Sequence, residues 1–157
     1  MTSMTRPVSS LLAMGYIVLR ARTLNIHINT TKLQKLMYAC YGACLAKYGV
    51  KICEENPEAW QHGPVFPRTL DALRGFGIEF FEQMDVSALL DVYSEDVKMM
   101  VDDVLKGFGR FAANQLVEWT HQKDSPWSVA SDNGRILFRQ IPDSLILDYF
   151  DEHVIAK

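Results

Sequence analysis

Residues 58–67 read Glu-Ala-Trp-Gln-His-Gly-Pro-Val-Phe-Pro, and the rest of the chain is organised around them. Trp60 and His62 stand two apart, so an extended backbone puts both on one face. Gly63-Pro64 is a turn signal that would end such a strand, and Pro64 would pre-set the first turn of a helix in which Pro67 also fits. The expectation is a rigid corner, strand into helix, carrying an indole and an imidazole.

Just before this corner, between Lys51 and Gln61, the helical period is lost and two short runs flank Glu55-Asn56-Pro57. They predict a small two-stranded β-hairpin, too short to stand alone and therefore packed on helices. Further upstream, Val8 to Leu24 is mostly apolar, with Arg20 and Arg22 near the end, where cations complement a helix dipole. Thr31 and Gln34 stand in the capping-box relation at the start of a second helix. Its broad stripe runs through Leu33, Leu36, Met37, Cys40, Tyr41, Cys44, Leu45 and Tyr48 to a left-handed cap at Gly49.

After the corner, Leu70, Leu73 and Phe76 mark a helix that stops near Gly75 to Gly77. Ile78 to Tyr93 mixes apolar and acidic residues without a period and reads as an ordered connection. Ser94 caps an amphipathic helix through Val97, Val101, Val104, Leu105 and Phe108, ending among Gly107 and Gly109. A helix from about Asn114 carries Leu116, Val117 and Trp119 to His121. Pro126-Trp127 opens a short turn that Asn133-Gly134 closes, and Pro142-Asp143 opens the last helix. The fold class is mainly α, a single compact helical domain over residues 1–157 with its core at about 8–153 and the hairpin as a minor element.

With 157 residues, 48% of them hydrophobic and 22% charged, the chain is long enough to bury a core. A net charge of -3 and no Lys/Arg run argue against a protein that binds nucleic acid by neutralising phosphates. No apolar run reaches the roughly 18 residues of a membrane span. The odd cysteine count, Cys40, Cys44 and Cys53, with no apolar leader in the first residues, reads as a reducing cytoplasm. Cys40 and Cys44 share a helix face, but they lie in the apolar stripe and lack a second ligand pair, so neither a metal site nor any cofactor is expected.

For catalysis, the sequence offers only His62 and His121, as an acid-base pair or as metal ligands of a His-dependent or metal-dependent enzyme, and each needs a partner that it does not reveal. Gly107-Phe108-Gly109 lacks the third glycine and the context of a dinucleotide loop. Trp60, Trp119 and Trp127 are either interface anchors or core; Trp60 and Trp127 are expected in the core.

Four segments in this order resemble the Panacea domain family, whose members are also described as SocA-like or phage-associated GepA-like antitoxins. They are Thr31-Lys32-Leu33-Gln34-Lys35-Leu36-Met37-Tyr38, Leu45-Ala46-Lys47-Tyr48-Gly49, Glu58-Ala59-Trp60-Gln61-His62-Gly63-Pro64-Val65, and Leu116 with Thr120-His121 and Pro126-Trp127. Residues 75–93 do not follow the pattern. The resemblance implies a non-enzymatic antitoxin of a bacterial or phage toxin-antitoxin system that neutralises a cognate protein toxin by binding it. One branch of the family delivers its toxin to the ClpXP protease, so an adaptor role is the alternative. On this reading Trp60, His62, Val65, His121 and Trp127 are the partner-binding candidates, while Thr31, Gln34, Gly63, Pro64 and Pro126 are structural.

Overall fold

The computed structural model describes residues 8–155. In chain order these form α1 (Ser10–Thr23), α2 (Thr30–Tyr48), β1 (Glu58–Trp60), β2 (Gly63–Val65), α3 (Pro67–Phe76), α4 (Ile78–Glu82), α5 (Leu89–Val92), α6 (Glu95–Phe108), α7 (Ala113–Thr120), α8 (Pro126–Ala130), β3 (Arg139–Gln140) and α9 (Asp143–His153). The fold is mainly α, as the helical periods predict.

The architecture is built around α2, in which residues 32–45 are buried without a break. It packs on α6, α7, α9, α3 and β2, while α1 packs on α3, α4, α5 and α6. Close approach of α9 depends on Gly42, since a Cβ there would run into the Phe150 ring. Around this contact Tyr38, Phe108, Trp119 and Phe150 form an aromatic cluster, with ring centroids 4.7 Å apart for Phe108 and Trp119 and 5.4 Å for Tyr38 and Phe150. Such edge and tilted pairs add to the free energy of burial itself.

Three ionic anchors fix the outer helices. Arg20 makes a two-pronged contact with Asp102, at 2.9 and 2.8 Å, that joins α1 to α6. The Glu55 carboxylate accepts from both the backbone N–H (2.9 Å) and the hydroxyl (2.6 Å) of Ser10, placing an anion at the α1 N-terminus. Desolvation would raise the Glu55 pKa, but the Ser10 hydrogen bonds outweigh it and hold it below the usual range. Asp143, at the start of α9, accepts from Tyr41 Oη at 2.6 Å and from Asn56 Nδ2 at 2.8 Å.

Several local expectations are corrected. The hairpin lies one step later than the turn residues at 55–57 predict: its strands are β1 and β2, its loop is Gln61-His62, and β3 extends it to a sheet of order β2-β1-β3. Glu55 and Asn56 are instead committed to holding α1 and α9. Gly63-Pro64 does not end the strand but forms β2, paired Ala59↔Pro64 and Trp60↔Gly63, and Pro67 starts the helix. Proline is tolerated there because β2 is an edge strand. Consequently His62 sits in the loop and not on a strand face with Trp60.

The cap of α2 is Asn29, whose Oδ1 accepts from Lys32 N–H at 2.9 Å, so Thr31 and Gln34 lie inside the helix. Two short helices, α4 and α5, occupy the stretch read as a connection. Four or five residues are too few to display a period, yet Phe81 and Leu89 are buried there. Phe76, read as part of the apolar stripe, is 70% exposed, and Trp60 is only half-buried, whereas Trp127 is in the core.

Gln34 shows why α2 carries polar residues inward. Its Oε1 accepts from Phe66 N–H at 2.9 Å and its Nε2 donates to Thr69 Oγ1 at 2.8 Å, so one amide secures the passage from β2 into α3. Gln34→Leu leaves the buried Phe66 N–H without an acceptor, which costs about 1–3 kcal/mol. Denaturant unfolding of the variant is expected to show that loss with helix content unchanged; wild-type stability would mean that the amide has no such role.

Candidate functional site

The corner is held from three sides. From below, Lys35 of α2 donates from Nζ to Pro64 O at 3.1 Å, beside the Gln34 contacts. From the side comes α7: at Gly63, where φ is 111°, a Cβ would stand 2.5 Å from Thr120 Oγ1 and 3.0 Å from Lys35 Cε. Only glycine meets both the backbone angle and the space. From the far end, Trp127 Nε1 donates to Trp60 O at 2.7 Å.

His121 is the strut between these contacts. Its Nδ1 lies 2.7 Å from Val117 O and its Nε2 lies 3.0 Å from Gln61 O, so both ring nitrogens face backbone carbonyls. Its ring rests on Trp127, with centroids 3.8 Å apart. Ser125, the cap of α8, donates to Thr120 O at 2.8 Å and sets the angle at which Pro126 and Trp127 follow. The Thr-His and Pro-Trp elements thus lock the hairpin from behind.

In front of the hairpin lies a groove of about 340 Å³, lined by the hairpin, the start of α2, the α3 face with Leu70 and Arg74, and Leu137-Phe138. Trp60, with its indole N–H on Glu58 Oε1 at 2.9 Å, meets Phe138 edge-on at 5.1 Å between centroids. Phe138 is 62% exposed. Its backbone has a φ of 68° and its N–H is tied to Ala59 O at 2.7 Å, so a strained main chain presents the ring. His62 is exposed and borders this groove on one side and a shallower one, lined by Asn29, Asn114, Val117 and Glu118, on the other.

Of the partner-binding candidates, Trp60, His62 and Val65 come together in the groove, while His121 and Trp127 stand behind it as supports. No hydrogen bond joins His62 to His121 among the described residues. Gly63, Pro64 and Pro126 occupy structural positions; Thr31 and Gln34 line the groove as well. Sequence reasoning missed Lys35, Leu70, Arg74 and Phe138. A lysine on a helix reads as solvent-facing, and only its place one residue from Leu36 and Gln34 hinted otherwise.

Cys40, Cys44 and Cys53 are buried free thiols, and burial pushes Cys44 up to about 12, far from the reactive thiolate range. Among the described residues no three His, Cys, Asp or Glu side chains are grouped to hold a metal ion.

Residues 33–128 match the family described as Antitoxin SocA-like, Panacea domain. The chain belongs to that family. The matched span opens inside α2 and closes at Ser128 in α8, so it contains Lys35, the hairpin, Thr120, His121 and Trp127. The chain is also 29% identical over 143 residues to the Antitoxin SocA of Caulobacter vibrioides (strain NA1000 / CB15N), covering 83% of this chain and 76% of that protein. No solved structure matches it.

Lys35 is 2% exposed, and burial lowers its pKa from 10.5 to about 8. The unfolded chain therefore holds this proton more tightly than the native state between pH 8 and 10.5, and the group's unfavourable contribution, full below pH 8, fades as pH rises through that window. Relative to Lys35→Met, the wild type is expected to gain about 3 kcal/mol from pH 7.5 to 10.5, at 1.36 kcal/mol per pKa unit. A difference that stays flat over this range would place Lys35 in water.

Proposed function

We propose that the protein is an antitoxin that neutralises a cognate protein toxin by direct binding, as one domain whose core spans about residues 8–153. The observation that carries this reading is the family match over residues 33–128, which contains the hairpin, Lys35, His121 and Trp127, while Thr30, Thr31, Leu137 and Phe138 of the groove lie outside it. Similarity to a protein named Antitoxin SocA points the same way. Trp60, His62 and Val65, with Phe138 beside them, offer the partner an aromatic surface on a stiff support, and His121 and Trp127 hold that surface in shape.

The same family membership supports a non-enzymatic role. His121 has both ring nitrogens on backbone carbonyls, which suits a strut better than a proton carrier. Among the described residues no helix is long and apolar enough to cross a membrane.

Co-expression with the gene encoded beside this one tests the proposal. The expected result is that the neighbour arrests growth alone, that this chain restores it, and that the two purify as a complex. Phe138→Asp should weaken the complex by about 2 kcal/mol or more, as loss of an exposed aromatic anchor does, at little cost to folding. A harmless neighbour, or rescue without binding, would overturn the reading. Toxin half-life separates direct neutralisation from delivery to ClpXP: an adaptor shortens it, a simple inhibitor does not.

A further inference from the structure

The groove in front of the hairpin combines an apolar wall with an unbalanced positive charge. Its lining holds Lys35, Arg74 and His62 and no aspartate or glutamate, on a chain whose net charge is -3. An ammonium has three N–H donors, yet Lys35 makes a single hydrogen bond, to Pro64 O, and no carboxylate stands within ion-pair distance of it among the described residues. Arg74, exposed at the rim, has no ion pair among the described residues either. The carboxylate adjacent in sequence, Glu58, is outside the lining and is engaged by the Trp60 indole. A buried ammonium without a counter-charge is costly, and the cost is recovered when a carboxylate is delivered to it.

We infer that this groove takes a segment of the partner protein bearing an acidic side chain next to an apolar one. The carboxylate lies between Lys35 and Arg74, and the apolar side chain lies on Trp60 and Phe138. The inference rests on the reading of the corner as the partner surface and adds the chemistry of what it recognises. A phosphate backbone fits less well, because strong binding to nucleic acid gathers many cations along a track and this groove supplies two, one of them buried.

A displayed library of random heptapeptides, blocked at the C-terminus, tests this on the full chain. Selection should enrich peptides with Asp or Glu beside an aromatic or aliphatic residue. For an enriched peptide, changing its acid to the amide should weaken binding at least tenfold to the wild type but not to Lys35→Met, with a smaller effect of Arg74→Gln. Binding to the wild type should also fall about tenfold from pH 7 to 9, as the free Lys35 loses its proton. That readout needs no variant to fold.

Enrichment of purely apolar or basic peptides, or none, would overturn the inference, as would equal discrimination by Lys35→Met. So would displacement of the peptide by an oligothymidylate. If co-expression protects cells while no acidic preference emerges, this inference fails alone. If acidic peptides bind but no toxin is neutralised, the antitoxin reading fails and the groove chemistry stands.

Discussion

Everything at the corner depends on polar side chains that α2 carries into the interior. Lys32 donates to Gly109 O at 2.6 Å, Gln34 holds Phe66 and Thr69, and Lys35 donates to Pro64 O. The three meet backbone groups at a helix terminus or on a sheet edge, at Gly109, Phe66 and Pro64, and Gln34 also holds the Thr69 hydroxyl. The central helix therefore supplies both the apolar face on which the other helices pack and the hydrogen bonds that terminate them. Such contacts add little net stability each, but losing one strands a buried partner, so they specify a single arrangement.

The family's separate motifs are two halves of one joint. Gly63 is small because Thr120 and Lys35 occupy the space its side chain would take. His121 faces the Gln61 carbonyl, and Trp127 reaches the Trp60 carbonyl across 67 residues of sequence. A hairpin turn held at the Trp60 and Gln61 carbonyls and at Gly63 has little freedom, and such rigid support would lower the ordering cost of any contact made through half-buried Trp60 and exposed Phe138.

Long helices were legible because a 14- or 19-residue segment repeats its apolar face several times, as α6 and α2 do. Ser94, Gly49 and Pro126 marked ends correctly, since each acts through its own backbone or side chain. What escaped reading was settled at a distance. Gln34 looked like a capping residue, but its amide is used on Phe66; Pro64 looked like a helix start, but it lies on an edge strand whose carbonyl meets Lys35. Phe138 had no visible role because its exposure comes from a left-handed backbone and a bond to Ala59. Ordinary helical propensity hides a buried lysine, and no local pattern shows that α2 has no solvent-facing side along most of its length.

The joint formed by the family's motifs also supports the groove, so the fold's signature and the proposed partner surface share one physical origin. Hydrogen–deuterium exchange of the protein, alone and with the product of the neighbouring gene proposed as its partner, tests this most directly. Slowed exchange at residues 58–66 and 136–140 on complex formation is the predicted result. Unchanged exchange there, with protection confined to the helices between residues 78 and 108, would contradict it.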